Sequence, residues 1–109
     1  HTKVSECRDG AVNTFYVHPS DFGVAKSDAA VLTGGDAAHN AEIIRAVLGG
    51  EPGPRRDVVL LNAGIGLFIA GRVTAIAEGL AVAAQAIDSG AAQDRLDRMV
   101  ASSRAEAAV

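Results

Sequence analysis

The stretch Leu32–Gly71, LTGGDAAHNAEIIRAVLGGEPGPRRDVVLLNAGIGLFIAG, contains two apolar runs. They are joined by an elbow at residues 49–54 that is rich in glycine and proline. Asp36 directly precedes the first run, where its carboxylate can accept the free backbone N–H groups of a first helical turn. The glycine pair at 49–50 ends this run, and the prolines that follow prevent the helix from resuming at once. The pattern predicts a first helix over residues 37–48 and a second over residues 55–71.

The second predicted helix is unusual because it carries no charge from Val58 to Gly71, and its only side-chain amide is Asn62. A helix that is apolar on every side is typical of a buried position, and this run is shorter than the roughly 20 residues needed to cross a bilayer. We therefore predict a central core helix and not a membrane span. We also expect the rest of this chain to leave part of it uncovered as an exposed apolar patch.

The chain before this stretch has the character of β-strands. Residues 3–8 and 11–18 flank Asp9-Gly10, a dipeptide suited to a tight hairpin turn, and the second stretch is rich in β-branched and aromatic residues. Pro19 ends the second strand, and residues 20–23 are predicted to form a turn. We expect one hairpin, which must pair with further strands or pack on a helix to be stable.

The chain after this stretch is predicted to be helical. Thr74 is the candidate cap of a third helix over residues 75–89, and Gly90 separates it from a fourth over residues 91–101. The small and polar residues 102–109 are expected to fray. The fold class is α+β, with the hairpin at 3–18, a helical part at 36–101 and a tail at 102–109.

Composition limits the functional classes. The 109 residues include 49% hydrophobic residues, a single cysteine and a net charge of −3, which is ordinary for one globular unit in a reducing, cytoplasmic compartment. Mild acidity with only three Phe, one Tyr and no Trp argues against nucleic acid as a partner, and no segment suggests a membrane partner. Because the chain opens at His1 and enters strand-like sequence at once, we expect it to be a segment of something longer.

Several residues are candidates for chemistry, and each also has a structural interpretation. Thr33–Asp36 leads into a helix N-terminus that could hold a phosphate, but Asp36 puts a carboxylate where the anion would sit, so a turn with an N-cap is favoured. Asn40 and Asn62 lie on apolar helix faces. Either could face a ligand, but we favour structural roles for both and predict that they are mostly buried and hydrogen-bonded.

Metal binding and thiol chemistry are not favoured by the pattern. His1, His18 and His39 lack the paired spacing of zinc ligands. Cys7 has no neighbouring group in the sequence that would activate its thiol, so a small strand residue is the preferred interpretation. From the residues we therefore assign no catalytic, substrate-binding or metal-binding role, and only structural roles to Asp36, Asn40 and Asn62.

Three segments carry a family resemblance: GGDAAHNAEIIRAVLGG at 34–50, GPRRDVVLLNAG at 53–64 and AEGLAVAAQAIDSGAA at 77–92. Together they resemble the C-terminal part of the anthranilate phosphoribosyltransferases, and VSECRDG and PSDFGV resemble the strand and turn that precede it in that family. The similarity keeps its order and spacing over nearly the whole chain.

The resemblance implies a pentosyltransferase of tryptophan biosynthesis, with the substrates phosphoribosyl pyrophosphate and anthranilate, Mg²⁺ as cofactor, a larger α/β domain and a homodimer at full length. The family's Gly-Thr-Gly-Gly-Asp loop, Lys-His-Gly-Asn-Arg segment and Asp-Glu metal pair all precede the matched region, and none occurs in this sequence. The segment is thus expected to be mainly structural and inactive in isolation. The alternative hypothesis is a non-catalytic helical module, or a divergent relative with a binding role.

Overall fold

The computed structural model describes residues 1–107, with side chains described through Ala105. The chain begins with strands β1 (Thr2–Arg8) and β2 (Ala11–Val17), followed by short 3₁₀ turns at Pro19–Phe22 and Ala29–Leu32. Four helices complete it, namely α1 (Ala37–Leu48), α2 (Pro54–Ile69), α3 (Ile76–Asp88) and α4 (Ala91–Ala107). The predicted α+β class, the hairpin and the positions of the first two helices are confirmed.

The hairpin forms as its turn dipeptide predicts. The strands pair antiparallel from Thr2 opposite Val17 to Arg8 opposite Ala11. Asp9 and Gly10 have φ angles of 52° and 79°, the left-handed values that a two-residue hairpin turn requires. Within residues 1–107 the sheet has these two strands alone.

The third helix differs from its prediction at its first turn. It begins at Ile76, and its N-cap is Ala75, which makes no side-chain capping bond. Thr74 is therefore not the N-cap. Instead, its backbone N–H and its hydroxyl both donate to a carboxylate oxygen of Glu78, each at 3.2 Å. The acidic side chain thus reaches back from the first turn and satisfies the donors in front of it.

The fourth helix is longer than predicted, and the expected fraying of residues 102–107 is wrong. Helix α4 continues to Ala107, while residues 108–109 lie outside the described part of the chain. Alanine, arginine and glutamate in this segment have high helix propensity, which offsets the cost of the two serines. Ser103 also donates its hydroxyl to the carbonyl of Val100 at 3.1 Å, so its polar group is satisfied within the helix.

Helices α2 and α3 form the most extensive helix–helix contact. They cross at Gly64 and Gly79, and a Cβ on Gly64 would lie 2.8 Å from the backbone nitrogen of Leu80. A Cβ on Gly79 would in turn meet the carbonyl oxygen of Gly64 and lie 2.8 Å from its Cα. Both positions therefore need glycine because backbone meets backbone there, although neither has a positive φ.

The buried hydrophobic residues come mainly from α3 and the segments next to it: Val17, Val47, Val73, Leu80, Ala83 and Ile87. Gly64 is the one buried residue of helix α2, which leaves Val58 and Val59 each 40% exposed and Ile69 77% exposed. The prediction of a core helix buried on every side is wrong for this chain by itself. The expectation that part of it stays uncovered is confirmed.

The arrangement is open for its length. The Cα radius of gyration is 16.1 Å, compared with about 13 Å for a compact chain of this size. The hairpin meets one end of α2, where the Arg8 guanidinium lies 5.3 Å from the ring centre of Phe68. These features are typical of a layer with one uncovered side.

We predict that Gly64→Ala lowers the free energy of unfolding by about 1–3 kcal/mol, because the added methyl group forces the α2 and α3 backbones apart. Gly66→Ala is the matched control on the same helix. A Cβ at Gly66 meets no atom within 4 Å, so the higher helix propensity of alanine should leave stability unchanged or raise it by about 0.5–1 kcal/mol. Urea unfolding followed by circular dichroism measures both. Equal effects of the two substitutions would contradict the crossing.

Candidate functional site

The glycine turn, residues 33–36 before α1, is the part of the chain most similar to an anion-binding loop. The carboxylate of Asp36 accepts the backbone N–H of His39 at 2.8 Å, so the predicted N-cap is confirmed. The side chain of Asn40 accepts the N–H of Gly35 at 2.9 Å and donates to its carbonyl at 3.0 Å. Two backbone donors that a phosphate would need are therefore occupied by the chain's own side chains.

Both glycines of this turn are needed because side chains from α1 close over them. A Cβ on Gly34 would lie 2.5 Å from the Asn40 Oδ1 atom, and a Cβ on Gly35 would lie 2.9 Å from the His39 ring. Asn40 is half-buried and fully engaged with Gly35, which fits the hydrogen-bonding role predicted for it. The geometry describes a closed structural turn rather than an open cradle.

Asn62 behaves differently from its prediction. It is exposed, and its amide donates to the carbonyl of Val58 one turn earlier at 2.9 Å. The prediction of a mostly buried side chain is wrong for this chain, because Asn62 lies on the side of α2 that no other described element covers. Its hydrogen bond is local to the helix and ties no loop or strand to the core.

The two adjacent arginines at the start of α2 connect three elements. Arg55 donates to the carbonyl of Thr33 in the glycine turn at 3.1 Å. Arg56 forms a two-pronged ion pair with Asp88 at the end of α3, with N···O distances of 2.9 and 3.0 Å. The Arg56 side chain is 15% exposed and that of Asp88 is 57% exposed. This basic pair therefore serves mainly to hold the elbow against its neighbours.

A cavity of about 210 Å³ lies beside these arginines, between α1 and the elbow. Its lining is mainly apolar, with Glu51 and the two arginines as the charged members. Its volume is below the range of about 300–1,000 Å³ that is usual for small-molecule sites, and the guanidiniums already have protein partners. Nothing in this geometry assigns it a substrate.

Among the described side chains, the possible metal ligands and nucleophiles do not lie together in one site. The hairpin brings the rings of His1 and His18 to 5.3 Å, but His39 lies on the exposed face of α1. Among residues whose side chains are described, no group of three or more His, Cys, Asp or Glu side chains could hold a metal ion. Cys7 is an exposed free thiol on β1. The described side chains therefore do not fit a magnesium site.

The sequence did not predict two contacts that join α2 to α3. The first is the crossing of Gly64 and Gly79, and its signal was a glycine inside each helical pattern, which usually indicates a packing requirement. The second is the pair of Arg56 and Asp88, separated by 32 positions, for which no local pattern exists. In the described part of the chain, no helix has the length and apolarity needed to span a membrane.

The chain that forms the hairpin, the glycine turn and the crossed helices is similar in sequence to a known protein family. The family described as "Glycosyl transferase family, a/b domain" matches residues 1–93, and the chain belongs to this family. Among its relatives is the anthranilate phosphoribosyltransferase of Methanocorpusculum labreanum, 48% identical over 91% of this chain and 29% of the relative. The enzyme of the same name from Symbiobacterium thermophilum is 52% identical over 90% of this chain and 29% of the relative.

A solved structure supports the same relationship. The crystal structure of anthranilate phosphoribosyltransferase (TrpD) from Thermus thermophilus superimposes with a TM-score of 0.76 at 36% identity, covering 81% of this chain and 27% of that one. The chain thus spans less than a third of the length of the relatives that it matches.

We predict unequal effects of removing the two asparagine side chains. Asn40→Ala should lower the free energy of unfolding by about 1–2 kcal/mol, because two hydrogen bonds to Gly35 are lost. Asn62→Ala should change it by less than about 0.5 kcal/mol, because an exposed bond within the helix is replaced by a better helix former. Urea denaturation of both variants measures the difference. A larger loss at Asn62 would contradict the roles described above.

We also predict a measurable coupling between Arg56 and Asp88. In a double-mutant cycle with Arg56→Met and Asp88→Asn, the coupling should be up to about 1 kcal/mol at low salt, because the pair is two-pronged but Asp88 is open to solvent. One molar salt should reduce it, since exposed charges are screened. A coupling of zero at low salt would show that the ion pair does not hold the elbow.

Proposed function

We propose that this chain is the C-terminal part of the α/β domain of an anthranilate phosphoribosyltransferase. The observation that supports this best is the identity of about 50% with enzymes of that name, extending over 90% or more of the chain. The full protein would transfer the phosphoribosyl group of phosphoribosyl pyrophosphate to the amine of anthranilate in tryptophan biosynthesis. A cytoplasmic homodimer that uses Mg²⁺ is the form we propose for it.

The role that we propose for this segment is to support the active site rather than to supply it. Phosphoribosyl transfer develops positive character at the sugar while pyrophosphate departs, so the site needs carboxylates for Mg²⁺ and N–H or cationic groups around the phosphates. Asp36 and Asn40 already occupy the donors of the glycine turn, and Arg55 and Arg56 bind within the chain. Groups outside this segment would therefore hold the metal and the substrates.

The segment contributes rigid framework in this proposal. The elbow is tied to the glycine turn by Arg55 and to the end of α3 by Arg56, and the crossing of Gly64 and Gly79 holds α2 against α3. Elements fixed in this way can hold neighbouring catalytic loops in place. This matters for the rate, because a small displacement of the catalytic groups slows the reaction.

The test joins this chain to the upstream part of the Symbiobacterium thermophilum relative in place of that protein's own matching segment. We expect the graft to consume anthranilate in the presence of Mg²⁺ and phosphoribosyl pyrophosphate. The loss of anthranilate fluorescence measures this consumption. The 109-residue chain alone should show no turnover. The same graft with Gly64→Ala should lose activity or thermal stability, because the added methyl group forces the α2 and α3 backbones apart.

Two results would count against the proposal. Turnover by the chain alone would mean that its own residues form the active site. A graft that is folded by circular dichroism but inactive would favour the alternative of a non-catalytic helical module.

A further inference from the structure

Two histidines face each other at the end of the hairpin that lies opposite its turn. Thr2 pairs with Val17 at the last position of the register, so His1 and His18 are the next residues on the two strands. Their ring centres lie 5.3 Å apart, with an angle of 42° between the ring planes. The hairpin therefore brings together two imidazoles that are far apart in the sequence.

Both rings lie on the solvent-facing side of the hairpin. Side chains alternate between the two faces of a strand, and on the inner face Phe15 is half-buried and Val17 is buried. On the outer face His1, Tyr16 and His18 are exposed. The Tyr16 ring meets the His1 ring edge-on, with 5.4 Å between the ring centres. An ion can therefore reach the imidazole nitrogens from solvent without disturbing the core.

The spacing of the two rings is close to that of two histidines bound to one metal ion. Imidazole nitrogens bind Zn²⁺ at about 2.0–2.1 Å, and neighbouring ligands of a tetrahedral or octahedral ion are separated by angles of about 90–110°. Two rings bound in this way have their centres roughly 4.5–5.2 Å apart. The observed 5.3 Å needs only a small side-chain rotation to fall in this range.

The ligand type determines which ions suit the pair. Imidazole suits Zn²⁺, Cu²⁺ and Ni²⁺, whereas Mg²⁺ prefers oxygen ligands. Among the described side chains, no group of three or more possible ligands could hold a metal ion, so water completes the coordination of an ion held by this pair. Such an ion exchanges with solvent, unlike the ion of a closed structural site with four protein ligands.

Two charged residues near the pair have opposite effects on a bound cation. Lys3 follows His1 on the outer face and lies opposite Tyr16, where its positive charge disfavours the ion. Asp21 accepts the backbone N–H of His18 at 2.9 Å, which places a carboxylate beside the pair and favours the ion. The charges of these two residues therefore offset one another.

We propose that His1 and His18 form a site for an exchangeable divalent ion of the late transition metals, the class that contains Zn²⁺, Ni²⁺ and Cu²⁺. The ion bridges β1 and β2 at the end that the turn does not hold, and it stabilises the hairpin because it binds the pair only when the strands are paired. This site is separate from the Mg²⁺ of the proposed function, since its ligands are nitrogen atoms.

The first test locates Ni²⁺ on the 109-residue chain, prepared with an acetylated N-terminus and Cys7→Ser. Acetylation removes the α-amine of His1 as a competing ligand, and the substitution removes the exposed thiol. The measurement is made at about pH 7.5, where an unperturbed imidazole is mostly neutral. In NMR spectra, we expect a small amount of paramagnetic Ni²⁺ to broaden the ring signals of His1 and His18 and to leave those of His39 on α1 sharp.

The second test separates a pair from single histidines. In calorimetric titrations with Ni²⁺, His1→Asn and His18→Asn should each weaken binding by at least about 10-fold, because two ligands held on one scaffold bind the ion together. His39→Asn is the matched control and should leave the affinity unchanged. All three side chains are exposed, so the substitutions leave the core intact, and circular dichroism checks this. Equimolar Mg²⁺ should not displace Ni²⁺.

Three results would overturn the site. Equal broadening of all three histidines, or equal loss of affinity in the three variants, would mean that each ring binds the ion independently. Displacement of Ni²⁺ by equimolar Mg²⁺ would contradict the class of ion. An affinity that persists in denaturing urea would mean that the paired strands do not form the site. None of these measurements uses turnover, so none of their results bears on the proposed transfer reaction.

Discussion

The backbone contact of Gly64 with Gly79 determines how the helices of this chain are arranged. Because neither residue has a side chain, α2 and α3 approach closely enough for the carbonyl of Gly64 to lie where a Cβ of Gly79 would be. This brings Leu80, Ala83 and the end of α3 under α2, and it places Asp88 within reach of Arg56. A side chain at either glycine would separate the helices and weaken every contact that depends on their spacing.

The close crossing buries only one side of α2. Its other side is apolar and uncharged, but Val58, Val59 and Ile69 there are exposed. A chain with few fully buried side chains has little apolar burial to offset its conformational entropy. The structure is therefore easier to understand as one layer of a larger domain, in line with the proposed place of this segment in a phosphoribosyltransferase.

Several polar side chains of the chain fix its turns and helix ends. Asp36 and Asn40 satisfy the backbone of the glycine turn, Arg55 binds the carbonyl of Thr33, and Glu78 satisfies the donors before α3. Most of these bonds join residues three to five positions apart, whereas the Arg55 bond spans 22 positions. These contacts occupy two backbone donors near the glycine turn that a bound phosphate would need, in line with the framework role proposed for this segment.

Local patterns in the sequence determined the hairpin turn at Asp9-Gly10, the cap at Asp36 and the bounds of α1, because turn dihedral angles and capping bonds depend on residues only a few positions apart. The tertiary structure alone decided that Asn62 is exposed, that Gly64 meets Gly79 and that Arg56 pairs with Asp88. Each of these depends on how one helix is placed against another. Periodicity identifies a helix's apolar surface, but which part of that surface is buried depends on elements far away in the sequence.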